Sequence, residues 1–495
     1  MSKARLLSRF EASDKRAEKS LQPHHWFYAP VLLIAALLLC FPKITISTFS
    51  QFTQFWLENF DSQFIQFSTL MVILSMVVAI SPIGKIRLGG AEAKVEFGFG
   101  SWIAMLFTAG MGSGLIFWGV AEPVFHFANP PAFLKDDFSS VSGSLAITYF
   151  HWGVHAWAIY AFAGLIMAWF AYNRGRSMRV SASFTGSTPK WLGILDLLAV
   201  LAIIFGMAGT FANTIALIQT GVEQSSGLDI GSIYLRLGLV LLIALLFTLS
   251  SLTGLHRGIK RLSQFNALFM VALLVIVVSL VNPLNTLNIA WESTLTYLKL
   301  LPEVSFGVGE QSEQWSQGWS VIYLIWWIAW APFVGPFIAR ISKGRSIRQF
   351  ISCAVLLPTL ASILWFSGFA GSVFSQPYAA TIMDAVNQQY TLGLFTFFDQ
   401  LPMGQVFSIG ALLLLVTFII TSADSSIYIT GLLTGGKSHG SKVLWSLILI
   451  VITMALVSIN DVDLNKQIAI VGAIPFTFVL CAQVLFWGKD VIRRR

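Results

Sequence analysis

Residues 321–335 read VIYLIWWIAWAPFVG, with three tryptophans inside five residues of an apolar run that meets no charge before Arg340. A run of this kind predicts a membrane-crossing helix. Tryptophan in such proteins gathers at headgroup depth, where its ring and its N–H each find a suitable solvent. Trp326, Trp327 and Trp330 instead stand near the middle of the run. Residues three and four apart share a helix face, so the trio covers one broad face.

The rest of the chain has the same character. Of 495 residues, 56% are hydrophobic and 11% charged, whereas roughly a quarter are charged in soluble domains. Twelve apolar segments, each about long enough to cross a hydrocarbon core of about 30 Å, are expected at 28–48, 64–82, 100–120, 143–172, 193–220, 232–252, 264–282, 318–341, 350–372, 404–430, 442–459 and 466–487. Cytoplasmic loops carry the excess Lys and Arg. With both termini inside, only Lys43, Lys135, Arg236, Lys299 and Lys466 of the 31 basic residues fall outside. That bias accounts for the net charge of +8 without a nucleic-acid partner. The first 25 residues are polar, without an apolar stretch and cleavage-like site, so no signal peptide is expected. Cys40, Cys353 and Cys481 have no zinc-ligand spacing and are expected to be packing residues.

Three further segments stand out. SWIAMLFTAGMGSGLIFWGVAEP (101–123) has glycines on alternate residues, Gly110, Gly112 and Gly114. Alternation suits no helix face; apart from close packing of Gly110 with Gly114, it points to an unwound segment whose backbone N–H groups face an anionic solute group. YFHWGVHAWAIYAF (149–162) adds Trp152, Trp157 and Tyr160. Such rings pack large bundles, but two aromatic helices at matching depth also suit a quaternary ammonium group, which cannot donate hydrogen bonds and is held by π faces. No Asp or Glu lies in the fourth or eighth span to take that role. LLLLVTFIITSADSSIYI (412–429) carries Thr421, Ser422 and Asp424. Hydroxyls within a helix often bond to their own backbone, yet adjacent Thr421 and Ser422 could offer two oxygens to a sodium ion. Asp424 marks a pathway or inner gate, since a carboxylate in a membrane is costly unless paired or hydrated.

AGMGSGLIFWGVAEP (109–123), HWGVHAWAIYAF (151–162), WWIAWAPFVGPFIARISKGRSIRQF (326–350) and ITSADSS (420–426) together resemble the betaine/carnitine/choline transporter family, in family order over nearly the full chain. The resemblance implies an all-α integral membrane protein of twelve transmembrane helices. Two N-terminal helices (27–99) follow a cytoplasmic tail (1–26). Two inverted five-helix repeats (100–282 and 318–487) flank an outer-surface amphipathic helix (283–317), before a short cytoplasmic tail (488–495). It further implies homotrimers in the cell inner membrane, embedded in the lipid bilayer.

By the same resemblance, Trp152, Trp157, Tyr160 and Trp327 form an aromatic box. Trp330 lies toward the inner route and Trp326 toward the outer one, Phe333 and Phe337 line the cytoplasmic path, and the backbone of Gly110, Met111, Gly112 and Gly114 takes the substrate carboxylate. A sodium ion, the implied coupling ion, falls to the carbonyls of Thr108, Met111 and Phe418 with the hydroxyls of Thr421 and Ser422. The family's second sodium position uses threonines on the fifth span, where this chain has Ile203 and Met207, poor partners for a hard cation. The arginine that sodium-independent exchangers place there is absent as well. Gly114, where choline-accepting members often carry an acid, favours a betaine-like zwitterion. Choline, carnitine, ectoine and dimethylsulfoniopropionate stay open, as do proton coupling and exchange. An enzyme or a channel is not expected, for no metal-ligand set, phosphate loop, activated nucleophile or filter repeat is evident in the spans.

Overall fold

The computed structural model describes residues 27–493 except 111, 135–140, 186–189, 254–255, 307–312 and 437. The expected tail 1–26 and Met111 lie outside the described residues, as do the side chains of 107–110. The described chain is helical throughout, apart from one isolated bridge between Arg87 and Ser346. In order the helices are α1 (Tyr28–Cys40), α2 (Pro42–Ile80), α3 (Phe99–Gly110), α4 (Ser113–Ala128), α5 (Val141–Trp152), α6 (Val154–Ala168), α7 (Gly193–Ser226), α8 (Ile233–Thr253) and α9 (His256–Leu280). The second half holds α10 (Pro283–Phe306), α11 (Ile322–Ile341), α12 (Ile347–Phe374), α13 (Ala379–Gln388), α14 (Leu392–Asp399), α15 (Gly404–Thr434), α16 (His439–Ile459), α17 (Val462–Ala469) and α18 (Ala473–Ile492).

Among the described residues, nine helical segments are long and apolar enough to cross a membrane, or ten if the bent pair α9 and α10 counts as one. The expected first two spans have different boundaries. Pro42 ends the short apolar α1 and starts a 39-residue helix that runs through the polar stretch read as a loop, with a kink at Phe60. Proline tolerates a first helical turn but not the interior, so the chain breaks there rather than at residue 48. The third expected span is two helices, α3 and α4, parted at 111–112. The fourth is parted at Gly153, where a Cβ would come within 2.3 Å of the Tyr149 carbonyl oxygen.

Burial separates an inner group from a lipid-facing one. Helices α5 to α7 and α11 are mostly buried, whereas Leu241, Leu242 and Leu245 on α8 are exposed, as suits a face against lipid tails. Between α9 and α10 the chain turns by 111°, and α10 buries Ser293, Tyr297 and Leu300 while leaving Trp291 and Leu298 exposed. His155 ties this helix in, its Nε2 lying 3.2 Å from both Thr69 of α2 and Ser305 of α10. At the opposite end, Arg174 and the Trp169 indole both donate to Asp490 of α18, at 2.7 and 2.8 Å.

The crossing of α6 and α11 sets the position of the aromatic segments. The helices meet at Gly164 and Gly335: a Cβ on Gly164 would lie 2.7 Å from Ile338, and one on Gly335 would lie 3.2 Å from the Gly164 nitrogen. Small residues let two backbones approach this closely. Gly335→Val is expected to destabilise the fold by about 1–3 kcal/mol, as overpacked cores do, and Gly335→Ala by less. Thermal unfolding in detergent checks this; unchanged melting of the valine variant would show slack at the crossing.

Candidate functional site

The alternating glycines sit at an interruption. α3 ends at Gly110 and α4 begins at Ser113, with Gly112 extended between them. Helix ends leave N–H and C=O groups without intrahelical partners, and in a membrane such groups are tolerated only inside protein or beside a polar cavity. A cavity is present, with about 590 Å³ free of protein atoms including its open mouth, and both Gly112 and Gly114 line it.

The wall beside the glycines is aromatic. Trp152 and Tyr160, brought by α5 and α6, face Trp326, Trp327 and Trp330 of α11. Trp327 stands edge-on to Trp152 at 5.3 Å between ring centroids and lies 5.2 Å from Tyr160. Trp157 does not line the cavity; it buttresses the box from behind, 5.6 Å from Tyr160 and 6.0 Å from Trp327. The Trp326 and Trp327 indoles find internal partners, whereas the buried Trp157 Nε1 has none among the described residues. Trp327 donates to the His151 carbonyl at 2.8 Å, one of the carbonyls in the last turn of α5 released by the break at Gly153, and Trp326 donates to the Gly206 carbonyl at 3.4 Å. Phe333 lies 5.7 Å from Trp330, one turn along, and neither it nor half-buried Phe337 lines the cavity.

The facing wall, from α7, is polar and was not singled out in sequence. Thr210, Asn213 and Thr214 line it, Thr214 bonds Ser113 at 2.7 Å, and Asn213 accepts from Asn465 at 2.8 Å. Among the described residues, the buried Asn213 Nδ2 amide has no hydrogen-bond partner. Its spacing with Thr210 and Thr214 on one helix face is a sequence signal that could have been used.

The hydroxyl pair lies on α15 beside the break. A Cβ on Gly112 would sit 4.0 Å from the Ser422 Oγ. The Thr421 Oγ1 is 3.1 Å from the carbonyls of both Thr417 and Phe418, its own helix. The backbone of Thr108 is in the last turns of α3. Asp424 is buried away from the cavity, its Oδ2 3.5 Å from Ser250 of α8.

A buried carboxylate behind the box was also missed. Glu122 on α4, with no solvent exposure, accepts from the Trp152 indole at 2.8 Å and the Tyr323 hydroxyl at 2.7 Å. Its other oxygen lies 2.7 Å from His151 Nδ1 and 3.6 Å from His126 Nε2, and His151 Nε2 meets Ser320 at 2.8 Å. The expectation of no metal-ligand set therefore needs correction: one ligand atom each of Glu122, His126 and His151 lies within 4.8 Å of the others. Glu122 and His126 are four apart on one helix, but His151 joins them only through the packing of α4 on α5. These contacts leave little freedom: a carboxylate holding Trp152 and Tyr323 fixes two walls of the cavity at once.

An all-helical membrane bundle that encloses an aromatic and hydroxyl-lined cavity at an interrupted helix has the construction of a carrier for a small organic solute. The family comparison agrees. The family model described as BCCT, betaine/carnitine/choline family transporter, matches residues 26–494, and the chain belongs to that family. It is 36% identical to glycine betaine transporter 1 of Vibrio parahaemolyticus over 447 residues, covering 86% of this chain and 84% of that one. Glycine betaine transporter OpuD of Bacillus subtilis is 32% identical over 495 residues, 96% of each chain. A glycine betaine/proline/choline/ectoine transporter of Vibrio parahaemolyticus is 33% identical over 450 residues, 86% of this chain and 78% of that one. The protein is thus a multi-pass membrane transporter, not an enzyme.

Removing the Glu122 carboxylate leaves the Trp152 and Tyr323 donors buried without partners, each costing about 1–3 kcal/mol. Glu122→Ala should therefore lower the melting temperature in detergent and weaken solute binding, and Glu122→Gln, which can accept at one oxygen, should fall between. Wild-type melting and binding in the alanine variant would remove Glu122 from the support of the box.

Proposed function

We propose that the protein imports glycine betaine or a closely related zwitterionic osmolyte by sodium-coupled symport. The observation that carries this reading is the two-sided cavity. Trp152, Tyr160 and Trp327 offer π faces to a methylated cation, while Gly112, Gly114 and the amide and hydroxyls of α7 offer hydrogen bonds to a carboxylate. A zwitterion needs both. The glycine betaine transporters among the relatives support the substrate class, and choline, carnitine, ectoine and dimethylsulfoniopropionate are the competitors to be tested beside it.

Sodium coupling is supported by the placement of Ser422 against the helix break, with Thr421 next to it and the carbonyls of Thr108, Met111 and Phe418 as the remaining proposed ligands. Oxygen ligands of this kind suit a hard cation. A second sodium ion has no hydroxyl support at Ile203 and Met207, both buried in α7, so one ion per cycle is the favoured stoichiometry. The working architecture is twelve spans in two inverted repeats, rocking about the bound solute. Both termini lie in the cytoplasm, and the protein assembles as trimers in the cell inner membrane. Asp424, Phe333 and Phe337 belong to the inner part of the pathway.

Proton coupling is the second reading, favoured by the contact of the Glu122, His126 and His151 cluster with the box wall. Uptake of labelled glycine betaine into proteoliposomes separates the two. Under an inward sodium gradient uptake is expected to be strong, and under a proton gradient alone it should be absent; the reverse result would replace sodium by protons. Ser422→Ala should raise the sodium concentration needed for half-maximal uptake. Trp327→Ala should weaken betaine binding at least about tenfold, the scale of one lost cation–π face and its packing; wild-type affinity there would remove the cage from the mechanism.

A further inference from the structure

The carboxylate behind the box has an oxygen that the box does not use. Glu122 gives Oε2 to the Trp152 indole and the Tyr323 hydroxyl, so both cavity walls hang on that one atom. Oε1 meets two imidazoles instead, lying 2.7 Å from His151 Nδ1 and 3.6 Å from His126 Nε2. All three side chains are fully buried, and none of them lines the central cavity. The contact to His126 is too long for a hydrogen bond, and neither nitrogen of that ring has a hydrogen-bond partner among the described residues. Its ring packs against Trp319 at 4.5 Å. Packing accounts for the ring but not for two buried, unpaired nitrogens, which are costly.

The three groups have the chemistry and spacing of a metal site. Zinc binds histidine nitrogen and carboxylate oxygen at about 2.0–2.2 Å in a tetrahedral shell, which sets neighbouring ligand atoms about 3.4 Å apart. The separations of 2.7 and 3.6 Å fall on either side of that figure, and all three ligand atoms lie within 4.8 Å of one another. Small movements of the two rings bring them to zinc geometry. Two imidazoles and a carboxylate form one of the recurring three-ligand zinc sets, with water in the fourth position.

The surroundings fit as well. A metal-bound histidine usually donates its other ring N–H to a fixed acceptor, and His151 Nε2 lies 2.8 Å from the Ser320 hydroxyl, in the π-helical turn Gln317–Val321. Trp315 packs 5.2 Å from His126 and 6.1 Å from His151, and its buried Nε1 has no partner among the described residues. A metal-bound water is an acceptor of the kind it lacks. His126 stands in the last turn of α4, three residues before exposed Asn129, which gives an ion a short way in from the helix end.

We propose that Glu122, His126 and His151 bind a transition-metal dication, with zinc the favoured ion, through Oε1, Nε2 and Nδ1. The ion ties α4 to α5 and leaves Oε2 to Trp152 and Tyr323, so it braces the box from outside the cavity. The inference is independent of which solute or coupling ion the carrier uses.

The test uses full-length protein, purified without a polyhistidine tag and stripped with a chelator. Competition against a chromophoric chelator should give one zinc ion per chain, and zinc should raise the melting temperature in detergent. Both results should survive replacement of His24, His25, His256 and His439 by glutamine, which removes the other imidazoles except His155. His126→Gln should abolish the melting shift and weaken zinc at least tenfold, and Ser320→Ala should weaken it about tenfold, the scale of a lost outer partner. X-ray absorption of the zinc-loaded wild type should show two imidazoles and oxygen, and it needs no variant to fold. Absence of bound zinc, sulfur ligands or fewer than two imidazoles in the absorption spectrum, zinc affinity unchanged in His126→Gln, or binding lost with the four other histidines overturns the site.

Discussion

Hydrocarbon satisfies no hydrogen bond, and this constraint organises the molecule around its cavity. Every helix interruption releases backbone groups that lipid cannot accept, and three of the interruptions gather inward. The break before Ser113, the break at Gly153 and the π-helical turn at 317–321 all border the aromatic region. Their released carbonyls have uses: that of His151 receives the Trp327 indole, and that of Gly318 receives Lys466. The same irregular backbone would be untenable on the lipid-facing side of α8, where exposed leucines cover an unbroken helix.

Two kinds of charge are handled differently in this interior. Glu122 is surrounded by donors from Trp152, Tyr323 and His151, so its charge is spent in holding walls together and not in binding solute. The Lys466 ammonium is met by ring faces. Under the proposed function, that division lets the cavity bind a methylated ammonium without a carboxylate that would retain it too strongly or favour hydrated metal ions. It also explains why the Glu122 network is fully buried while the central tryptophans border open space.

Much of the site was legible because its parts are local in sequence. The tryptophan trio, the paired aromatic segment and the alternating glycines each lie within a few residues, and the structure brings Trp152, Tyr160, Trp327, Gly112 and Gly114 to one cavity. The placing of Trp157 behind the box was not legible, since helical spacing says which face a residue shares and not which neighbour stands before it. Nor was the polar wall of α7, whose threonines look like ordinary helix hydroxyls until α4 packs against them.

The amino-acid sequence by itself determined that the chain is an all-helical membrane protein, where its apolar segments run, and which segment must unwind. Periodicity, hydropathy and glycine placement are local properties, and the bilayer turns them directly into helices. Only the tertiary structure decided that Pro42 rather than residue 48 ends the first helix, that Glu122 meets two histidines and two ring donors, and that Lys466 enters a cage of Trp118, Trp319 and Tyr390. Those contacts join residues up to several hundred positions apart, and their energy depends on shared burial, which no single stretch of sequence contains.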